Sequence, residues 1–583
     1  MENLKAIKEF MINRFSGQGI KLLTCLFTAW IIVSAICLAI NSSPFYELDF
    51  FREINVVIFI LSVIFICFLL FLLRNEKVIA LLTVAFAAWY CILGAIICSD
   101  FYFLAGCCGI VSGIVYYSKL EGIRPMLSRW VLWIAAAVLM LMFTLVIGIS
   151  CCLRYNNFRT PCYDFGIFSQ MFYYMKETGL PLVTCERDGL LSHFAVHFSP
   201  IYYLLLPLYV IFPTPLTLMI GQCAVTALGV VPLIKICRSH GLSNLSSLAF
   251  AVCYILYPAM AGGCNYYIHE NNFLAPLILW LIYFMEKEKL VLSFVFGLSV
   301  LLIKEDAAVY VAVIALYFIF ANKNYKCSVL LLLFSVIYFL WVTSYLSVFG
   351  DGVMTGRYNN YIYDEGGLFT VIKAVVQNPI YAVQQCFAEQ KIKYFLQMLI
   401  PILFMPFCTK KTPRLILLIP FFLVNLMTNY RYQYDIMFQY GMGSGAMLLY
   451  LSVLNFSDMG KKRGKLLLSS VICSAIIFVG TFGGWLMYYE SYDSRADERA
   501  ALEYAAGIIP DEASVASSTM ILPNLSQRRE IYELERTEHE AEYYVIDLRY
   551  EHEGYSVEDF RTDEYEEVYT CEGIVSVFRR ITA

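Results

Sequence analysis

The sequence predicts an all-α polytopic membrane protein of about 15 spanning helices, followed by a small α/β domain outside the membrane. Three observations predict it. Of the 583 residues, 60% are hydrophobic and 15% charged, with a mean hydropathy of +0.66, whereas soluble domains are nearer half apolar and a quarter charged. Apolar runs long enough to cross a bilayer recur through residues 1–488. Lysine and arginine in the short loops between those runs fall on alternate sides, as the positive-inside rule requires.

Lys5, Lys8, Arg14 and Lys21 set the N-terminus on the cytoplasmic side. The first run, 20–40, is too long for the core of a cleaved signal peptide and reads as a retained helix. Runs 56–73, 78–98, 101–118 and 131–149 follow, turning inside at Arg74 and Lys77 and again at Lys119, Arg124 and Arg129. The fifth crossing opens on a long polar outer segment, 154–199. Run 201–212 is a dozen residues closed by Pro213 and Pro215, and an odd number of crossings is needed before Lys235 and Arg238. It is therefore read as an interfacial or re-entrant helix on the outer face. Runs 216–236, 245–263, 273–284, 290–303, 307–320 and 329–349 alternate past Lys323 and Lys326 to a second outer segment, 350–393. Runs 394–408, 415–427, 441–454 and 466–488 turn at Lys410, Lys411 and Arg414 and at Lys461, Lys462 and Arg463, and end outside.

The chain thus divides into N-terminal helices (1–130), a membrane core (131–488) and an acidic outer domain (489–583). From Tyr489 onward there are 23 acidic residues, nine arginines and no lysine, which fits translocation and argues against nucleic-acid binding. A helix over 495–507, strands near 513–517 and 543–547 and a hairpin over 567–579 make the α/β pattern. Most of the 20 cysteines sit in apolar runs as small buried hydrophobes. Cys162 and Cys185 share one outer segment, where they can pair or stay as thiols.

Under this threading the unusual polar residues reach one face. Asp164, Glu186, Arg187, Asp188, His193 and His197 lie in the first outer segment, and His269 and Glu270 in a short outer loop. Lys304, Glu305 and Asp306 form an outer turn, and Arg431 and Asp435 lie in a tyrosine-rich outer stretch, 429–440. Ionisable groups at the rim of a membrane core are costly and mark functional sites. Each has a plainer reading as well. His193 and His197, spaced i, i+4, present both rings on one helical face, as a metal pair or as structural histidines. The 304–306 triplet also reads as a solvated turn, and the tyrosines as an interfacial belt.

Chemistry at an outer face must use substrates found there, and polyprenyl-phosphate sugars are. Sugar transfer needs a carboxylate base, a cation or metal for the departing phosphate, and an apolar groove for the lipid. Asp164 and Glu270 are candidate bases. Arg154, Arg159, Lys304, Arg357 and Arg431 are candidate phosphate ligands. His193, His197 and Glu270 are the candidate ligands of a divalent metal. The competing readings are a transporter or flippase for a lipid-linked or anionic substrate, with ionisable groups near the bilayer midplane, and a non-catalytic envelope assembly factor.

Asp164-Phe165-Gly166-Ile167-Phe168-Ser169-Gln170, His193-Phe194, His197-Phe198-Ser199-Pro200, Tyr257-Pro258, Ile268-His269-Glu270 and Lys304-Glu305-Asp306 occur in that order. With Asn429-Tyr430-Arg431-Tyr432-Gln433-Tyr434, Ile509-Pro510, Ala513-Ser514-Val515 and Leu522-Pro523-Asn524-Leu525-Ser526-Gln527-Arg528, they resemble a family of bacterial predicted membrane proteins, domain-of-unknown-function family 2079. That family in turn resembles the GT-C superfamily of membrane glycosyltransferases. The resemblance implies a GT-C-like core with juxtamembrane helices in the cytoplasmic membrane. It implies a polyprenyl-phosphate sugar donor and a glycan, lipid or protein acceptor. Asp164 stands at the catalytic acidic position, with His269 and Glu270 beside it and Gln170, His193, His197, Lys304, Glu305, Asp306 and Arg431 toward substrate. Asp164 is followed by Phe165 and Gly166 instead of a second acidic residue, and its loop follows the fifth crossing instead of the first.

Overall fold

The computed structural model describes residues 2–120, 126–321, 324–352, 354–363, 367–460 and 463–581; Arg124, Lys323, Lys461 and Lys462 lie outside the described residues. Among the described residues, seven helices are long and apolar enough to cross a membrane: Gln18–Ile40, Glu76–Ile97, Arg129–Asn156, Pro215–Ser239, Asn244–Tyr266, Tyr325–Phe349 and Arg463–Phe482. Val56–Leu72, Phe101–Tyr117, Leu290–Leu301 and Ala307–Phe320 are shorter apolar helices. Many of their large apolar side chains, such as Ile58, Leu61, Phe65 and Phe68, are exposed, which is the outward face of a helix solvated by lipid.

Two expected crossings are broken. Residues 394–408 contain the end of a helix, Glu389–Leu399, and then 3₁₀ turns at Ile400–Ile402 and Met405–Phe407. Residues 415–427 run through a 3₁₀ segment, Thr412–Leu418, into a wider turn, Phe421–Leu426. Pro401, Pro406, Pro413 and Pro420 recur through this stretch. Each proline removes a backbone donor and clashes with the preceding turn, so a continuous α-helix cannot form. The short run after the first outer segment is a 3₁₀ turn, Pro200–Leu204, and a helix, Leu206–Ile211. Leu204, Leu208, Val210, Ile211 and Phe212 are exposed on it, the signature of an interfacial helix.

Helix Met442–Asp458 is the axis of the core, with every side chain from Met442 to Phe456 buried. Gly443 and Gly445 admit the rings of Tyr310 and Tyr257, which a β-carbon would meet at 2.5 and 2.9 Å. Close backbone approach also fixes the outer loops. A β-carbon at Gly262 would stand 1.8 Å from the Ile436 carbonyl, and one at Gly350 the same distance from the Ala195 carbonyl. The stretch 429–440 is thereby held against helix Pro258–Tyr266, and the second outer segment against the first.

The outer segment pairs two short strands, β1 (Leu182–Val183) and β2 (Leu191–Ser192), antiparallel. The tail carries a five-stranded sheet of β3 (Val515–Ser517), β4 (Ile531–Glu533), β5 (Tyr543–Asp547), β6 (Tyr565–Cys571) and β7 (Val575–Arg580), ordered β4-β3-β5-β7-β6. The pairs β4–β3 and β3–β5 are parallel; β5–β7 and β7–β6 are antiparallel. Strand β4 escaped the sequence reading because three residues carry too little pattern.

The tail is built onto the first outer segment. Gln170, fully buried, donates to the Arg529 carbonyl (3.0 Å) and Thr184 Oγ1 (2.8 Å) and accepts from the Thr184 amide (2.8 Å). Thr184 Oγ1 donates to the Ile531 carbonyl, Tyr174 donates to the Arg529 carbonyl, and the Cys162 amide donates to the Thr519 carbonyl. A Gln170→Leu exchange strands the buried Thr184 amide at about 1–3 kcal/mol and removes the direct bond to the Arg529 carbonyl, which keeps only Tyr174. Limited trypsin digestion of the full chain is expected to release the tail faster in this variant. Cleavage at the wild-type rate would show that Gln170 does not hold the joint.

Candidate active site

Asp164 sits in an irregular turn directly before helix Ile167–Thr178. His269 and Glu270 follow helix Pro258–Tyr266, where the chain turns through extended residues into a 3₁₀ turn, Glu270–Phe273. Lys304 and Glu305 lie between Leu290–Leu301 and Ala307–Phe320. These helices span only about 18 and 21 Å at 1.5 Å per residue, short of the roughly 30 Å hydrocarbon layer. The turn that joins them is thus buried beside the Pro258–Tyr266 segment, where its charges need protein partners.

Those partners form one chain of contacts. Asp164 Oδ2 is 3.0 Å from His269 Nε2, and His269 Nδ1 is 3.7 Å from Glu270 Oε2. Glu270 Oε1 accepts from Lys304 Nζ at 2.8 Å, and Glu270 Oε2 accepts from the Tyr202 hydroxyl at 2.8 Å. Side-chain exposure falls along it, from 24% at Asp164 to 7% at His269, 1% at Glu270 and 4% at Lys304. Asp164 is the end open to an incoming molecule. Phe168 packs edge-on against His269 (5.0 Å between ring centres), His193 (5.3 Å) and tilted against Tyr202 (5.4 Å), and Tyr266 stacks on His269 at 5.6 Å.

Burial opposes ionisation of Asp164, but the adjacent His269 and the Tyr266 hydroxyl outweigh it and lower its pKa. Burial likewise opposes charge on His269, but Asp164 and Glu270 prevail and raise its pKa above the usual 6.5. Glu270 is held well below the carboxylate range because Lys304 and His269 overcome its burial. A carboxylate faces each ring nitrogen: the imidazolium donates from Nε2 to Asp164, and Glu270 stands 3.7 Å from Nδ1 as an ionic neighbour.

A second chain lies alongside. His197 Nδ1 is 3.0 Å from Glu305 Oε1, and His193 Nδ1 is 2.9 Å from Glu186 Oε2. The two histidines thus face different carboxylates, and Glu270 is engaged by Lys304 and Tyr202. Among the described residues no group of three or more His, Cys, Asp or Glu side chains is placed to hold a metal ion. The set expected as metal ligands is not assembled, because ion pairing takes each member separately.

The remaining expected site residues divide. Asp306 is half-buried, and its carboxylate has no hydrogen bond or ion pair among the described residues. Burial and the neighbouring Glu305 push its pKa up against the pull of Lys304 and Arg357. Arg357 lies over the rings of Tyr430 (4.8 Å) and Tyr440 (5.2 Å) with no carboxylate paired to it among the described residues. Arg431 is exposed and lines a separate cavity of about 400 Å³ with Lys393 and Asp435. Gln170 spends its amide on the tail joint. Arg154 donates to the Asn265 carbonyl and Arg159 reaches Glu498 at 3.6 Å, so both are engaged within the protein. Cys162 and Cys185 adjoin as free thiols. Tyr202, Tyr266 and Phe168 were not singled out as site residues, since one aromatic among many in an apolar chain carries no local signal.

The model of a family described as predicted membrane protein (DUF2079) matches residues 154–562. No curated protein matches the sequence. Among solved structures, ArnT from Cupriavidus metallidurans bound to undecaprenyl phosphate is similar at 11% identity, covering 77% of this chain and 98% of that one with a TM-score of 0.47. The apo state of the same protein is similar at 12% identity, covering 78% and 99%, with a TM-score of 0.48.

The Asp164–His269 pair has a defined pH window. His269, with its raised pKa, contributes stability that is complete below pH 6.5 and is lost as pH rises through the raised value. Asp164, with its lowered pKa, contributes stability above the ordinary carboxylate range and loses it as pH falls through the lowered value. His269→Asn is expected to lower stability by about 1.5–3 kcal/mol at pH 6. Thermal unfolding of both proteins across pH should show that gap closing at alkaline pH; a pH-independent gap would contradict the ionic pair.

Proposed function

The chain belongs to the DUF2079 family of predicted membrane proteins, and on that premise we propose that it is a glycosyltransferase of the outer membrane-water face. The donor in this reading is a polyprenyl-phosphate sugar. The observation that carries the reading is the chain from Asp164 to Lys304, whose least buried member, at 24% exposure, is a carboxylate held ionised by a histidine.

Asp164 orients an acceptor hydroxyl, with His269 fixing the carboxylate from behind. The acceptor oxygen bonds to the anomeric carbon while the bond from that carbon to the phosphate oxygen breaks. The proton passes to Asp164, and polyprenyl phosphate leaves with the electron pair. Arg357, a cation between two tyrosine rings and free of a carboxylate partner among the described residues, is the group suited to the departing phosphate. The exposed apolar side chains of Leu208, Ile211 and Phe212 suit the polyprenyl chain. In this reading residues 1–130 anchor a core of residues 131–488. The N-terminus is cytoplasmic, and the domain of residues 489–583 stands on the outer side, where lipid-linked sugars are presented.

Asp164→Asn keeps size and most hydrogen bonding but removes the base. With the protein reconstituted in liposomes and offered polyprenyl-phosphate sugars, the exchange is expected to cut transfer by about 100-fold or more. Transfer at the wild-type rate in a folded Asp164→Asn protein would remove Asp164 as the base and the reading with it.

A further inference from the structure

A cavity of about 470 Å³ lies where the tail meets the first outer segment. Tyr163, Glu186, Arg187 and Asp188 line it from the segment, and Glu533 and Arg536 from the tail. Tyr163 directly precedes Asp164, so one wall of this space is a single residue along the chain from the carboxylate. Its volume is within the roughly 300–1,000 Å³ of small-molecule sites.

The charges on its walls are balanced locally. Glu186 is paired with His193 at 2.9 Å, and Arg187 with Asp351 at 2.8 Å. Asp188 Oδ2 accepts from the Glu538 amide at 3.0 Å, and Glu533 Oε2 is 3.1 Å from Arg536 Nε. An anion entering here meets no uncompensated cation. What the walls offer is a dense set of donors and acceptors: two guanidiniums, a tyrosine hydroxyl and three carboxylates. Glu533 is 6% exposed, and its Oε2 is buried without a hydrogen bond despite the nearby guanidinium. The Arg536 side chain that covers this acceptor is 57% exposed, and a small shift of it opens the acceptor to a ligand hydroxyl. The guanidinium of Arg536 lies 4.3 Å over the Tyr163 ring, so one tail residue and one segment residue make a single wall.

We propose that this cavity binds a neutral, hydroxyl-rich glycan, which is the acceptor for the transfer, and that the tail completes the site through Glu533 and Arg536. The inference rests on the glycosyltransferase reading for the word acceptor, but the binding itself does not need the transfer to occur. It gives the outer domain a task. The domain carries part of a ligand site, and the Gln170–Thr184–Arg529 joint keeps that part in register with Asp164.

The test is retention of full-length protein in nanodiscs on an immobilised panel of neutral oligosaccharides and their phosphorylated counterparts, with no donor present. Wild-type protein is expected to be retained on neutral members of the panel. Glu533→Gln and Arg536→Gln are expected to weaken retention about ten-fold, the loss of one hydrogen bond to a charged group. Arg536 is 57% exposed and a glutamine there keeps a donor beside Glu533, so its exchange leaves the fold intact even if that of Glu533 does not. The proposal is overturned if wild-type protein binds no neutral glycan, if it binds only phosphorylated ones, or if the folded Arg536→Gln protein binds as wild type. A protein that transfers nothing but loses glycan with these exchanges would sink the glycosyltransferase reading and leave the glycan site standing.

Discussion

The buried contact between Glu270 and Lys304 is the constraint on which the candidate site depends. A carboxylate with 1% of its side chain exposed and an ammonium with 4% cannot stay ionised in an apolar surround without each other. Their 2.8 Å contact joins the 3₁₀ turn Glu270–Phe273 to the turn between two helices too short to cross the hydrocarbon layer. Once the pair is placed, the Tyr202 hydroxyl and the His269 ring are drawn to the same carboxylate, and His269 in turn reaches Asp164. The site is thus ordered from its dry end outward. Asp164, the member that meets solvent, takes its position from groups that do not.

The same logic explains why the apolar chain tolerates so many polar residues at one end. Several of these groups are offset by a partner: His197 by Glu305 and Arg187 by Asp351 from distant segments, and His193 by Glu186 within the first segment. Removing a member of either histidine pair leaves its partner buried and unpaired, which costs more than the pair contributes, whereas the Arg187–Asp351 pair is exposed. Asp306 and Arg357 depart from the pattern, since neither has an ion-pair partner among the described residues. In a face where charges are otherwise matched, unmatched ones are suited to a ligand.

Much of this was legible in the sequence because bilayer physics leaves few options. Apolar runs and the sign of the short loops gave the helices, and that threading brought Asp164, His269, Glu270 and Lys304 to one face before any contact was known. The short 201–212 run was identified as interfacial by parity alone, and its exposed leucine and isoleucine side chains agree. The 394–427 region holds its two apolar runs as interrupted helical turns instead of plain α-helices, an interruption to which Pro401, Pro406, Pro413 and Pro420 point. Gln170 and Arg431 could not be sorted from the sequence. One faces the tail and the other a different cavity, and both facts depend on contacts between segments far apart in the chain. The pairing of His193 and His197 with separate carboxylates was hidden for the same reason, and it dissolves the metal set that their spacing suggested.

The account's central claim is that the Glu270–Lys304 pair is the foundation of the site, and a double-mutant cycle on stability tests it most directly. Glu270→Gln and Lys304→Met should each destabilise the protein by about 3–5 kcal/mol, because each strands a buried charge. The double variant strands none and is predicted to recover most of that loss, giving a large favourable coupling. Additive losses, with the double variant as unstable as the two singles combined, would contradict the claim.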